Sequence, residues 1–365
     1  MLERHPIKYF APAWFAVIMG MGGLANILYL WLPNVFPGGS ILAEAIAFLA
    51  DALYFIVLVP WLLRWALYFK YVLRDLHHPI TANFFVTMPV ATAILGTNIY
   101  LIWSKYLGEA LTFHIIFLTW LIAIIGVTFF SFYTTFRMIQ REACPQPELV
   151  NFSWIMAPIA NMAVLLIGNP VLTMVLKREP TWASSILVTN SALFGIGFFL
   201  FVFISSIIFV RLTQHPLPPA ELTPSFGIFL SAIGLLVSAL MDTAKNSKDL
   251  GLLSSTDLSN LAALIVWGFG IWIIGMIILI SIYQLRRDGI PFTLGWWAYI
   301  FPLAAYTSAS QKITSAFPTY LTYTFTTFLT SLLILLWLYT SWNTVLGILS
   351  SKLFMGTPIQ SKYDQ

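Results

Sequence analysis

The sequence predicts an all-helical integral membrane protein with ten transmembrane helices, on three observations. Hydrophobic residues make up 59% of the 365 residues and charged residues 9%, where a soluble domain carries about 25% charged residues. The apolar runs continue for about twenty residues or more, without the alternation of β-barrel strands. The 18 basic residues sit singly or in pairs between those runs, as topology signals do, and form no patch that would bind nucleic acid. A soluble enzyme, a disordered chain and a disulfide scaffold are excluded. Cys144, the single cysteine, precedes Pro145 in a charged loop and can make no intrachain disulfide.

Each span follows from the roughly 20 apolar residues that a bilayer crossing needs. The first, 10–31, is not followed by a small-residue cleavage site, so it reads as a retained span rather than a signal peptide. The segment from Pro33 to Gly39 turns the chain into the second span, 41–69. His77-His78-Pro79 precedes the third, 80–104, and Lys105 to Gly108 leads into the fourth, 109–136. Pro145-Gln146-Pro147 precedes the fifth, 152–176, and Lys177 to Pro180 the sixth, 182–212. Pro216 to Pro219 turns into the seventh, 223–241, followed by a polar stretch before the eighth, 258–285. The ninth, 292–311, and the tenth, 320–349, flank Pro318. No intervening stretch is long or polar enough for another domain, so residues 1–365 read as one transmembrane unit, embedded over 10–350 with short tails.

With the N-terminus inside, the inner segments hold Arg4, Lys8, Arg64, Lys70, Arg74, Arg137, Arg141, Arg211, Arg286, Arg287, Lys352 and Lys362. The outer segments hold Lys105, Lys177, Arg178, Lys245, Lys248 and Lys312. This bias of 12 against 6 places both termini in the cytoplasm.

The odd spans contain no Asp, Glu, Lys, Arg or His within those limits, and each has a helix-weakening or small residue near its middle. Gly20, Pro89, Pro158, Ala232 and Pro302 recur at spacings of 69, 69, 74 and 70 residues. A fixed period marks a repeat, here a helix pair. Five like hairpins predict a quasi-fivefold arrangement with odd helices inside and even helices outside against lipid. A proline frees a backbone carbonyl, which is costly in hydrocarbon unless it faces protein or a wet cavity. Kinks at Gly20, Pro89, Pro158 and Pro302 therefore point to a central pathway, the alternative being ordinary kinked helices in a bundle. If the windows are equivalent by rotation, the preceding residues Met19, Met88, Ala157, Ser231 and Phe301 form one level of constriction.

Two segments resemble a known family. His78-Pro79-Ile80-Thr81-Ala82-Asn83-Phe84-Phe85 and Trp296-Trp297-Ala298-Tyr299-Ile300-Phe301-Pro302 are similar to motifs of the tellurite-resistance/dicarboxylate transporter family. Trp14-Phe15 through Gly22, and Leu222-Thr223-Pro224-Ser225 with Ile228, fit more loosely. That family includes bacterial TehA-type proteins, yeast malic acid and sulfite transporters, and the slow anion channels of plant guard cells. The resemblance runs from Tyr9 to Asn343. It implies ten helices in five hairpins, a pore through each protomer, a homotrimer, and a ninth-span phenylalanine that blocks the pore, which falls on Phe301. On the residues alone, a core aromatic packed between helices is the competing reading of Phe301.

No catalytic constellation, metal site or cofactor is implied. No two of the five histidines have helical ligand spacing, His77-His78 reads as a loop cap, and there is no phosphate loop. Inner spans without acidic residues lack the rings that cation channels use, and spans without basic residues let an anion leave. Arg74, Arg137, Arg141, Arg211, Arg286 and Arg287 read either as topology anchors or as a field concentrating anions at the inner mouth. The charge pattern gives at best the sign of the cargo; with the family resemblance, the expected cargo is a small inorganic anion or an organic acid anion such as chloride, nitrate, malate or sulfite. Intramembrane ionisable groups are functional candidates, and Asp51 and His114 are the candidate proton sites for the rival reading, a proton-coupled dicarboxylate or sulfite carrier. A structural, hydrogen-bonded carboxylate is the other reading of Asp51.

Overall fold

The computed structural model describes residues 6–34, 38–140, 150–350 and 353. Cys144, Arg4, Arg141, Lys352 and Lys362 lie outside the described residues. Among the described residues the chain is all helical, with nine helical stretches long and apolar enough to cross a membrane. The α-helices are α1 (Phe15–Trp31), α2 (Gly39–Leu67), α3 (Phe69–His77), α4 (Thr87–Asn98), α5 (Ser104–Leu107), α6 (Glu109–Ile139) and α7 (Met156–Ala163). They continue with α8 (Leu165–Arg178), α9 (Pro180–Gln214), α10 (Phe226–Asp249), α11 (Asp257–Arg287), α12 (Trp297–Ala316) and α13 (Tyr320–Leu349).

The expected ninth span is present as α12 but is not among the nine apolar stretches. Its second half carries Thr307, Ser308, Ser310, Gln311 and Lys312. Burial, not lipid, hosts these groups. Trp267 Nε1 donates to Ser310 Oγ at 2.7 Å, and Gln311 Nε2 donates to the carbonyl of Ile27 at 3.2 Å. A helix surrounded by protein need not be apolar throughout, because its partners supply the hydrogen bonds that hydrocarbon cannot.

All five odd spans open on a 3-10 turn: Pro12–Trp14, Thr81–Val86, Phe152–Ile155, Ala220–Ser225 and Leu294–Trp296. The cause is local. Asn151 and Thr293 cap their turns by accepting from the backbone N–H of Ser153 and Gly295, while Pro12 and Pro224 have no N–H to satisfy. The following α-helices start at Phe15, Thr87, Met156, Phe226 and Trp297, at spacings of 72, 69, 70 and 71 residues. The even helices repeat as well. Arg64, Arg137, Arg211 and Gln284 recur near their C-terminal ends at spacings of 73, 74 and 73.

Each odd span packs against the even helix that follows it: α1 on α2, α4 on α6, α7 and α8 on α9, α10 on α11, and α12 on α13. The odd spans also touch in sequence. α1 meets α4, α4 meets α7 and α8, these meet α10, α10 meets α12, and α12 returns to α1. In the four odd spans among the nine, 67 to 83% of the apolar window is buried, against 17 to 39% in the five even spans. The even helices expose large apolar side chains such as Phe55, Ile125, Phe203, Ile265 and Leu335. Such a face is stable only against lipid or another protein surface.

The expected kinks differ in kind. Gly20 lies within uninterrupted α1, where an added Cβ would come within 2.8 Å of the Trp297 ring, so close packing and not a break explains this glycine. Pro89 and Pro158 are the third residues of α4 and α7, in a first turn that tolerates proline. They pack against glycines of the next even helix, Gly126 at Pro89 and Gly197 at the carbonyl of Pro158. Pro302 is inside α12. It leaves the Ala298 carbonyl without its helical donor, and that oxygen lies against Gly227 of α10.

Candidate functional site

The two motif segments do local structural work at the helix starts. His78 Nδ1 accepts from the backbone N–H groups of Ile80 and Thr81 at 3.3 and 3.2 Å. Asn83 Nδ2 donates to the carbonyl of Pro79 at 2.9 Å, and Thr87 Oγ1 to that of Pro12 at 2.8 Å, tying the first and third spans together. Trp297 Nε1 donates to Thr344 Oγ1 at 3.0 Å, anchoring α12 to α13.

Glycines clamp α12 on both flanks. On α1, Gly20 faces Trp297 and Ile300, and a Cβ at Gly23 would lie 3.1 Å from that of Ala304. On α10, Gly234 faces the backbone of Ala305 and Tyr306. Small residues let helix backbones approach closely in membranes. The α12 backbone is thus held while the side chain of Phe301 projects from it.

Two cavities meet at that side chain. The first receives Met19 from α1, Val90 from α4, Ala160 from α7, Ser231 from α10, and Phe301 and Pro302 from α12. It is almost wholly apolar. The second, which is larger, receives Asn26 from α1, Thr97 from α4, Asn169 from α8, Asp242 and Lys245 from α10, and Ala304 and Lys312 from α12. Every odd span contributes to both, and among the described residues Phe301 is the one that lines both. It is 8% exposed.

The family profile described as SLAC1, voltage-dependent anion channel, matches residues 9–345. The chain belongs to this family. An uncharacterized transporter of Methanocaldococcus jannaschii is 30% identical over 314 residues, covering 85% of each chain. A sulfite efflux pump of Trichophyton rubrum is 26% identical over 322 residues, 85% of this chain and 83% of the pump. A tellurite resistance protein TehA homolog of Haemophilus influenzae is 23% identical over 297 residues, 80% and 77% of the two chains. The resemblance read from the two motifs is borne out over almost the whole chain, and the family is one of anion channels and transporters.

For this member of the voltage-dependent anion channel family, the five residues expected at one level divide. Met19, Ser231 and Phe301 line the apolar cavity together. Met88 and Ala157 line neither cavity. The reason is helix face. Thr87 and Val90 on α4, and Met156 and Ala160 on α7, lie about one turn apart and line the cavity, whereas Met88 and Ala157, one residue on from Thr87 and Met156, are turned about 100° away from that face.

Asp51 and His114 line neither cavity. His114 is exposed on α6, its Nδ1 at 2.7 Å from the Ala110 carbonyl. Asp51 on α2 accepts from Asn98 Nδ2 at 2.6 Å and from Trp103 Nε1 at 2.7 Å. A π-helical turn, Ile99–Trp103, makes this double contact. Residues five apart differ by about 140° around an α-helix, and the wider π turn brings them to one face. Glu44, on the same face of α2, pairs with Lys105 at 2.7 Å. At the opposite end, Arg64 is buried, with its Nε donating to the Lys8 carbonyl at 3.0 Å and an ion pair to Asp75.

Sequence reasoning missed the polar cavity. It treated Asp242, Lys245 and Lys312 as beyond the seventh and ninth spans, but α10 runs on to Asp249 and α12 to Ala316. The signal was available in the run from Met241 to Asp249, which contains no Gly or Pro to stop a helix.

Proposed function

We propose that this protein is a cell-membrane anion channel or channel-like transporter for small inorganic anions or organic acid anions, closed at rest by Phe301. The observation that carries this reading is that, among the described residues, Phe301 alone lines both cavities, each bounded by all five odd spans. The five odd spans form a quasi-fivefold ring around the pathway, the even spans face lipid or neighbouring subunits, and the assembly is a homotrimer with both termini in the cytoplasm. The closed cycle of odd-span contacts supports the ring, and the exposed apolar faces of the even helices support the outer layer. An apolar constriction gates by excluding water, and the first cavity is apolar where it meets Phe301. The glycine clamps on α12 favour rotation of the Phe301 side chain over displacement of its helix. The sulfite efflux pump and the anion-channel family point to the sign of the cargo. Chloride, nitrate, malate and sulfite are the candidates.

The test is the reversal potential of the purified protein in planar bilayers under chloride, nitrate and malate gradients, with and without a pH step. A channel follows the anion gradient and ignores the pH step. A reversal potential that tracks the pH step favours the proton-coupled carrier and contradicts this reading.

A further inference from the structure

We propose that α3 lies along the membrane surface and binds an anionic phospholipid, with Lys70 and Arg74 at the headgroup phosphate and Phe69 and Leu73 against the acyl chains. The inference is independent of what the pathway carries.

The backbone puts α3 at the surface. The 29 residues of α2 extend roughly 43 Å at about 1.5 Å per residue, beyond a hydrocarbon core of about 30 Å. The helix then breaks at Tyr68. A straight continuation would carry Asp75 about 16 Å along the axis from Arg64, out of side-chain reach. Instead Arg64 pairs with Asp75, and its Nη2 donates to the Tyr71 carbonyl at 3.5 Å. The α3 axis therefore turns aside from that of α2. Aromatic residues gather at this break, as they do at membrane interfaces. Trp65 lies 6.1 Å from Phe69, and Tyr71 lies 6.1 Å from Tyr9 and 6.4 Å from Tyr68.

The sequence of α3 divides its surface into strips. Val72, Asp75 and Leu76 are buried against the protein. At about 100° per residue, Phe69 and Leu73 form an exposed apolar strip beside them. Lys70 and Arg74 form an exposed basic strip about 100° further round. With its buried strip on the protein, the helix turns one strip to acyl chains and the next to phosphates, the layout of an interfacial amphipathic helix. Charge complementarity selects the lipid. Asp75, the acidic residue of α3, is buried and turned to Arg64, although Arg74 approaches its other oxygen at 3.5 Å. Lys8 adds a third cation, its Nζ 4.8 Å from the centre of the Tyr71 ring. A phosphate without a neighbouring choline matches this cluster; phosphatidylcholine brings its own cation.

The test is native mass spectrometry of the purified full chain in detergent, titrated with dioleoylphosphatidylglycerol or dioleoylphosphatidylcholine and read as the affinity of the first bound lipid. The preference for phosphatidylglycerol should be about fivefold per basic residue at the headgroup. Lys70→Gln should therefore cut it about fivefold, and Lys70→Gln with Arg74→Gln should bring it close to one. Phe69→Ser with Leu73→Ser should weaken both lipids alike. Arg287→Gln, at the end of α11 with its guanidinium 3.5 Å from Asp288, should leave the preference unchanged. Lys70 is exposed, so Lys70→Gln removes charge without disturbing a packed core, and each variant is checked for wild-type elution on size exclusion. Equal affinities in the wild type, or a preference that survives loss of Lys70 and Arg74, overturns the proposal. So does a preference cut as far by Arg287→Gln as by Lys70→Gln, because the lipid would then answer to net charge and not to α3.

Discussion

Replacing Asp51 separates a structural carboxylate from a proton-transfer site. Its two oxygens take bonds from Asn98 and Trp103 across the interface between α2 and the third span. Asp51→Ala strands both donors. Interhelical hydrogen bonds in membranes are worth about 0.6–1.7 kcal/mol each, so the loss should be about 1–3 kcal/mol. Asp51→Asn should be almost neutral. Asn98 Oδ1 has no partner among the described residues, so turning over the Asn98 amide lets it accept from the new side-chain NH₂, while the new carbonyl still accepts from Trp103. The assay is apparent melting in detergent, read by size exclusion, beside anion flux in vesicles with and without a pH gradient. Asp51→Ala should melt clearly below the wild type and Asp51→Asn close to it, with anion flux retained in Asp51→Asn. The reasoning is refuted if Asp51→Asn melts as low as Asp51→Ala. It is equally refuted if an intact Asp51→Asn loses pH-driven uptake, which would make Asp51 a proton site.

Gly234→Val should disrupt the α10–α12 interface, because even a Cβ there would lie 2.5 Å from the backbone of Ala305 and Tyr306; overpacking of about 1–3 kcal/mol should appear as reduced recovery of monodisperse protein. Ile265→Arg should impair insertion by about 2.5–3.5 kcal/mol if that exposed face of α11 meets lipid near the bilayer centre, and glycosylation reporters on the flanking loops measure it. Arg64→Ala strips the buried Asp75 of its closer partner and leaves it the half-exposed Arg74 at 3.5 Å, so it should destabilise, by less than the roughly 3–5 kcal/mol of a fully stranded buried charge, read as lower apparent melting in detergent. Arg64→Lys should not restore melting fully, because an ammonium lacks the fork that reaches both Asp75 and the Lys8 carbonyl.

The helical class, and the nine stretches long and apolar enough to cross a membrane among the described residues, were legible because apolar runs and their Pro, Gly and charged breaks state where a chain can cross a bilayer. The repeat was legible too, since the period of about 70 residues reappears in the helix starts from Phe15 to Trp297. Register within the repeat was not. The sequence aligned Pro89 and Pro158 with Pro302, but proline is tolerated both in a first turn and at an interior break, so residue type alone does not fix its height. Only the 3-10 turns do that, and they make Met88 and Ala157 the second residues of their helices where Phe301 is the fifth. The π turn that joins Asn98 and Trp103 to Asp51 leaves no mark in composition or period. The polar cavity was hidden because Asp242, Lys245 and Lys312 are individually indistinguishable from topology charges; the coming together of α10 and α12 makes them a site.

The central claim is that Phe301 closes an anion pathway. The most direct measurement is the current of Phe301→Ala beside wild type in planar bilayers under a chloride gradient, with assembly of both proteins checked on the same preparation. Removal of a gate predicts a large rise in current that reverses near the chloride equilibrium potential, while the variant still elutes as the wild type does. An assembled Phe301→Ala with unchanged current, destabilised only by the roughly 3–5 kcal/mol of a lost core aromatic, would contradict the account.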